Sequence, residues 1–312
     1  MASQNKRLIG FSSGDFKFQN QVLGHDRDHD SNREEDQDNC QAHSHDYNHA
    51  HNFGKPRNQE KLGSILVLRP HSGISGDIMV AGLAHMVGLD QSGLDELLTA
   101  LGLGALVGRV KLVQRVFSGI TGQGLEVNLD PEHHHRTLDD IKTFISRANL
   151  SERAKSLALS AFTILAEAEG RVHNLSPSEV HFHEVGALDS LLDIGLAAAL
   201  FDRLNPVRFT CGPLPLCDGT IQCAHGLLSS PAPAVSFLLE GVMICGLNSS
   251  GETVTPTGLS LLKSFGAIFG PWPAMTVERQ ALIYGSRFLP NVANGALFAY
   301  GPATNDIDLS NP

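Results

Sequence analysis

Apolar and polar positions divide the chain into a polar arm and a region with regular periodicity. Residues 1–61 are poor in Ile, Leu and Val and rich in Asp, Asn, Gln and His, which predicts a disordered arm. The apolar run 64–68 predicts the first buried strand. Further strands are predicted at 110–116, 125–129, 242–245, 277–284 and 296–300, and helices at 78–87, 93–101, 138–149, 154–170, 187–201 and 257–265.

This order of elements predicts a mixed α/β fold, in which helices pack on short sheets and two lobes are intimately packed. The first lobe is expected at 62–205, the second at 206–302, and a tail at 303–312. Pro and Gly concentrate between residues 211 and 233, so the second lobe is predicted to be rich in loops. We expect Ser92 to cap the second helix, and the Gly-rich segment 118–124 to be a loop between two strands.

Charge and cysteine content narrow the classes of function. The net charge is −10, and residues 25–51 contribute −6 of it through eight acidic and two basic side chains. No basic stripe is present for nucleic acid, and no apolar run is long enough to cross a membrane. The N-terminus lacks the apolar core of a secretory signal, and the five cysteines have no CxxC spacing. We therefore expect a cytoplasmic protein without a disulfide framework.

The polar arm has a metal-binding composition. Its histidines, interleaved with Asp, are His25, His29, His43, His45, His49 and His51. Such a tract binds late transition metals loosely while imidazole is deprotonated, so binding should weaken as pH falls through about 6.5. The alternative is a solvated tail without a physiological ligand.

The segment 180–184, Val-His-Phe-His-Glu, is the best candidate for a designed metal site. In an extended chain His181 and His183 share one face and Glu184 lies on the other, and Asp189 begins the helix that follows. Imidazoles beside carboxylates suit nickel, zinc or iron. Alternatively, both histidines are core residues that bond to these carboxylates, and Asp189 serves the helix dipole.

A Ser/Gly loop between a strand and a helix could present backbone N–H groups to an anion. Its candidate ligand-binding residues are Ser72, Gly73, Ser75 and Gly76. The loop lacks the Lys of a Walker motif, and Asp77 would repel a phosphate, although it suits a metal ion or a helix cap. A tight turn that leads into a capped helix explains the same residues.

A second candidate anion loop contains Thr255, Thr257 and Gly258. Thr255 also fits as an N-cap followed by Pro256, so capping alone can explain this motif. His225, between Ala and Gly before a Pro-rich loop, is well placed for a ligand, although a lone His is more often structural.

Taken in order, these motifs resemble the LarC family of nickel insertion proteins. The resemblance rests on SGISGD (72–77), HHH-R-L-DI (133–141), VHFHEVGALDS (180–190) with Asp193, AHG-x4-PAPA (224–234) and TPTG (255–258). It implies insertion of nickel(II) into a pyridinium bis-thiocarboxylate mononucleotide, with one carbon–nickel and two sulfur–nickel bonds. It also implies hydrolysis of CTP with a divalent metal.

The resemblance assigns roles to the candidate residues. The expected nickel ligands are His181, His183, Glu184, Asp189 and Asp77. Metallation of carbon also needs a base for the ring proton, for which His183, Glu184 and His225 are candidates. The mononucleotide phosphate would lie at one of the two anion loops.

The chain also departs from the family pattern. Family members carry a further C-terminal domain that binds CTP, so a separate CTP-binding polypeptide is expected as a partner. Arg69, Pro70 and His71 stand where the family has an Asp-small-Phe sequence, and His71 could replace the Asp. The alternatives are a nickel storage or delivery protein, a homologue that has lost the reaction, and a metal-free binder of phosphate ligands.

Overall fold

This computed structural model describes residues 63–129, 136–182, 188–223 and 226–304, except for the side chains of His181 and Cys223. In these ranges the segments with regular apolar periodicity form helices and strands. Within these ranges the α-helices are α1 (Gly76–Val87), α2 (Gln91–Leu101), α3 (Leu138–Arg147), α4 (Glu152–His173), α5 (Leu188–Leu204), α6 (Pro233–Leu238) and α7 (Pro256–Ser264). The strands are β1 (Ser64–Arg69), β2 (Val110–Phe117), β3 (Ile120–Val127), β4 (Arg136–Thr137), β5 (His181–Phe182), β6 (Arg208–Cys211), β7 (Leu214–Leu216), β8 (Thr220–Cys223), β9 (Gly226–Ser229), β10 (Ile244–Gly246), β11 (Ile268–Phe269), β12 (Arg279–Ile283) and β13 (Ala296–Pro302).

The largest sheet has seven strands in the order β11-β6-β1-β13-β12-β3-β2. β1 pairs in parallel with β6 and antiparallel with β13, so the sheet is mixed. The apolar side chains of β1 are fully buried because both faces of the sheet are covered. Leu66 and Leu68 join the main core with the helices, whereas Ile65 and Val67 join a smaller cluster with Ala299. The predicted mixed α/β class is confirmed.

A layer of helices packs on the Leu66 and Leu68 face of the sheet. α1 contacts α5, α5 contacts α4, and α4 contacts α6 and α7. The predicted halves 62–205 and 206–302 both supply strands to the seven-stranded sheet, and the boundary between them stays a prediction. The arm at 1–61 lies outside the described residues. Across the described ranges, no helix has the length and apolarity needed to span a membrane.

Capping residues set the helix boundaries. Gly88 ends α1 in the left-handed conformation at φ 70°, and Thr137 forms a capping box with Asp140 at the start of α3. The prediction that Ser92 caps α2 was wrong. Asp90 is the cap, and its carboxylate accepts from the Gly93 N–H at 2.8 Å. Asp90 also places a negative charge at the positive end of the helix dipole, which Ser92 cannot do.

The Gly-rich segment 118–124 was also wrongly predicted as a loop. The chain turns at Ser118 and Gly119, with φ of 51° and 79°, and β3 begins at Ile120. Gly122 and Gly124 lie inside the strand. These positions are glycine because Tyr284 and Arg115 approach too closely to leave room for a side chain. Added Cβ atoms there would lie 2.6 to 2.9 Å from neighbouring atoms.

Candidate functional site

The two candidate anion loops, which are far apart in sequence, lie side by side. The Ile74 N–H donates to the Thr253 carbonyl at 2.8 Å, and the Thr255 N–H donates to the Ile74 carbonyl at 3.1 Å. Ile74 and Val254 thus form an isolated parallel bridge. Gly258 completes the contact, because a Cβ there would lie 2.7 Å from the Ile74 carbonyl oxygen. The starts of α1 and α7 are therefore held next to each other.

The hydroxyl groups of the first loop already have partners within the protein. Ser72 Oγ accepts from the Gly295 N–H at 2.9 Å, which anchors the loop to the start of β13. Ser75 has the backbone of an N-cap but its Oγ makes no capping bond, and it donates instead to Asp77 Oδ1. Gly73 adopts φ 121°, a conformation that favours glycine. The amides of Ser72, Gly73 and Ile74 also donate within the protein, to the carbonyls of Gly295, Pro70 and Thr253, so most donors of this loop are engaged.

The second loop is a capped helix start. Thr255 Oγ1 accepts from the Gly258 N–H at 3.1 Å, and Pro256 occupies the first turn. Thr255 and Thr257 also line cavities beside this helix start, so both residues are placed to contact a ligand as well as to begin the helix.

Three carboxylates meet where α1 and α5 cross. Asp193 packs on Gly76, where an added Cβ would lie 2.2 Å from Asp193 Oδ2. Burial, then the negative charges of Asp77 and Asp189, holds the pKa of Asp193 well above its usual value. Asp77 Oδ2 accepts from the Ser286 N–H at 3.3 Å. The helices thus concentrate negative charge at one point.

These carboxylates line a cavity of about 380 Å³ that adjoins a larger one of about 910 Å³. The two cavities share Asp189, Ser190, Thr255 and Thr257 as lining residues. The larger one has apolar walls, including Phe182, and its volume is typical of sites for organic ligands. The arrangement therefore offers an organic pocket beside an acidic pocket.

Sequence analysis missed a histidine–carboxylate pair in the larger cavity. His173, the last residue of α4, has its Nε2 atom 3.6 Å from Glu169 Oε2 one turn earlier. Both side chains line the cavity, as do Glu252 and Arg287. The spacing of four residues between Glu169 and His173 was the available signal, but in sequence it is typical of a surface ion pair.

Several predicted residues lie outside the described part of the chain. His183, Glu184 and His225 are among them, and so is the side chain of His181. The backbone of His181 is described, and it pairs with Thr137 in the short sheet of β4 and β5.

Nickel ligation therefore stays a prediction. Asp77 and Asp189 are brought towards the same small cavity. In the described ranges, no three His, Cys, Asp or Glu side chains are arranged to hold a metal ion.

His71 lines neither cavity described here. Partial burial, followed by the positive charge of Arg69, lowers the pKa of His71. Arg69 in turn donates to the Gly270 carbonyl at 2.7 Å and lies over the Trp272 ring. Arg69 thus packs beside the end of β11.

Comparison with known proteins places these features in a family. Residues 66–306 match the family described as nickel insertion protein. The chain is 33% identical to the pyridinium-3,5-bisthiocarboxylic acid mononucleotide nickel insertion protein of Staphylococcus epidermidis over 222 residues, 71% of this chain and 55% of that protein. Proteins with the same name from Nocardioides sp. and Desulfitobacterium hafniense are 37% and 38% identical, over 69% and 67% of this chain and 54% and 51% of their own lengths.

The chain spans little more than half the length of these relatives. No solved structure matches it. The family match covers most of the described residues, including both converging loops and the three carboxylates. The chain belongs to the nickel insertion protein family.

Proposed function

We propose that this protein inserts nickel(II) into a pyridinium-3,5-bisthiocarboxylic acid mononucleotide, the substrate in the names of its relatives. The observation that carries the proposal is the pair of adjoining cavities at the α1, α5 and α7 starts. The larger cavity, about 910 Å³, accommodates a mononucleotide, and the smaller one presents carboxylates to a cation.

Nickel would first bind nitrogen and oxygen ligands and then pass to the substrate. We assign His181, His183, Glu184, Asp77 and Asp189 as the ligands that receive it. Nickel accepts imidazole and carboxylate but binds softer sulfur well. A substrate with two thiocarboxylate groups can therefore take the ion from this set.

The phosphate of the mononucleotide would lie at the joined loops. Both helix starts direct backbone N–H groups towards one region, and Ser72 and Ser75 are already hydrogen-bonded within the protein. We assign the amide of Gly76 to this contact, with the Thr257 hydroxyl beside it, because the amides of Gly73 and Gly258 already donate to the Pro70 carbonyl and to Thr255 Oγ1. Arg287, at the larger cavity, supplies positive charge.

CTP, with a divalent metal, would be the co-substrate. The matched relatives are nearly twice as long as the region that aligns with this chain. We propose that CTP binds to a polypeptide that corresponds to the unaligned part of these relatives. We further propose that the reaction takes place in the cytoplasm, where thiols and thiocarboxylates stay reduced.

Calorimetric titration of the full-length protein with nickel tests the metal site. Stoichiometric binding should be lost in His183→Ala and unchanged in His85→Ala, since His85 is exposed on α1. A variant with all six arm histidines, His25 to His51, changed to Asn should retain the tight site. Binding that disappears only in the arm variant would overturn the insertase proposal and favour storage or delivery.

A second experiment tests the reaction. The protein is incubated with the mononucleotide, nickel(II) and CTP, with and without the C-terminal portion of the Staphylococcus epidermidis relative. Mass spectrometry should detect a product that has gained nickel and lost the ring proton. Its absence under both conditions would overturn the proposal.

A further inference from the structure

The proposed metallation needs a base, a role for which the nickel ligands are poorly suited. When nickel bonds to the ring carbon, the electron pair of the C–H bond becomes the C–Ni bond and the proton must leave. Nickel stays in the +2 state, so no oxidant or reductant is required. A histidine whose basic nitrogen is bonded to nickel cannot accept this proton, and a carboxylate bonded to nickel is a weaker base because the cation lowers its pKa. His183 and Glu184, which we assign as ligands, are therefore poorly suited to the role.

His173 has the position and chemistry of such a base. It ends α4, and its imidazole lines the 910 Å³ cavity that also contains Asp189 and Thr257. The same cavity borders the acidic pocket through these two residues. A proton acceptor at this wall lies in the compartment assigned to the organic substrate.

Glu169 is placed to orient that imidazole. Its Oε2 atom lies 3.6 Å from His173 Nε2, too far for a direct hydrogen bond but within range of an electrostatic pair. A carboxylate beside Nε2 favours the tautomer that carries its proton on that nitrogen. Such contacts commonly shorten when substrate binds.

A purely structural role explains these residues less well. A histidine at the end of a helix can serve the helix dipole, but such a residue needs no cavity. Here the side chains of His173 and Glu169 are only 31% and 18% exposed, and both line the substrate-sized cavity. An ordinary surface ion pair would be more solvated and would contribute little to stability.

We infer that His173, oriented by Glu169, takes the ring proton when nickel bonds to the carbon between the two thiocarboxylates. The inference rests on the proposed function, which supplies the substrate and the nickel. It identifies a catalytic residue and a positioning residue outside the motifs that carry the family resemblance.

The test uses full-length protein with the mononucleotide, nickel(II) and CTP, together with the relative's C-terminal portion if the reaction requires it. His173→Gln should lower the rate of carbon–nickel product formation at least about 100-fold, the range for loss of a general base. Calorimetry should show nickel and mononucleotide affinities within about twofold of wild type, because neither depends on the base. His85→Gln, on the exposed side of α1, is the matched control and should keep the wild-type rate.

Glu169→Gln separates positioning from packing. It should lower kcat about tenfold and leave KM unchanged, because it disturbs only the orientation of the base. An increase in KM with kcat unchanged would assign Glu169 to substrate binding and overturn its positioning role.

The outcomes distinguish failure of the inference about His173 from failure of the proposed function. If the wild-type protein forms no carbon–nickel product, the proposed function fails. If wild type is active and His173→Gln keeps the rate of His85→Gln, the function stands and the inference fails. Loss of nickel or mononucleotide binding in His173→Gln would show a binding role and would also overturn it.

Discussion

A Cβ atom at position 73 would lie 1.7 Å from the carbonyl oxygen of Thr253, so Gly73 is in backbone contact with a residue of the second loop. Gly73 also has φ 121°, which side chains rarely allow. This contact, together with the bonds of Ile74, holds the two loops at the edge of both cavities. The site thus depends on a position where only glycine fits.

Gly73→Ala should therefore be strongly destabilising. The added methyl group overlaps backbone atoms, which cannot move aside as a flexible side chain could, and the left-handed conformation adds strain. We expect a loss of at least about 2 kcal/mol in the free energy of unfolding. Urea denaturation measures it.

Gly219→Ala is the matched control. Gly219 has a similar φ of 110°, but nothing lies within 4 Å of an added Cβ. It should lose only about 1 kcal/mol, from strain alone. Equal losses in the two variants would show that the contact with Thr253 is unimportant.

Asp193 should make stability depend on pH. Its pKa is raised in the folded protein by burial and by Asp77 and Asp189, so the folded state holds its proton to higher pH than the unfolded chain. As pH rises above the unfolded value of about 3.9, the unfolded state loses its proton first and stability falls until the folded pKa is passed. Asp193→Asn removes this loss. The variant should be more stable than wild type by roughly 1 kcal/mol at pH 7.5, with the difference shrinking towards pH 4.

Thermal or urea unfolding at the two pH values measures this effect, without added metal. Asp218→Asn is the control, because Asp218 is exposed and the substitution makes the same chemical change away from the three carboxylates. A gain in Asp193→Asn that is the same at both pH values would contradict the electrostatic cause.

The sequence predicted features that depend on neighbouring residues. The apolar run at β1 and the cap Thr255 both follow from local chemistry, and the structure contains both of them. The error at 118–124 has a non-local cause. Gly122 contacts the ring of Tyr284, which follows β12, and no local sequence pattern predicts this contact.

The same limit applies to the site. Both loops were predicted individually, but their contact through Ile74 joins segments that are far apart in the sequence. His173 was missed because a Glu–His pair on a helix has a surface explanation until the cavity wall is known. Most of that wall comes from the last third of the chain. Chemistry that depends on convergence therefore required the structure.

Thr255 should act first as a helix cap. Its Oγ1 accepts from the Gly258 N–H at 3.1 Å, so Thr255→Ala should lower the free energy of unfolding by about 1 kcal/mol, and Thr255→Ser should restore most of it. Urea denaturation measures both. If Thr255→Ala unfolds like wild type but binds mononucleotide more weakly, the hydroxyl would be a ligand contact and not a cap.

Cys211 and Cys245, two cysteines whose side chains the structure describes, should differ in reactivity. Cys211, in β6, is buried, and burial raises its pKa to about 12 despite the nearby charge of Arg69, whereas Cys245 in β10 is an exposed free thiol. Because only the thiolate reacts, iodoacetamide at pH 8 should modify Cys245 at least about 1,000-fold faster than Cys211. Peptide mass spectrometry measures both rates, and in urea the difference should disappear because unfolding exposes the two thiols alike. Rapid labelling of Cys211 in the folded protein would show that β6 opens readily and that the core beside β1 is less stable than its burial indicates.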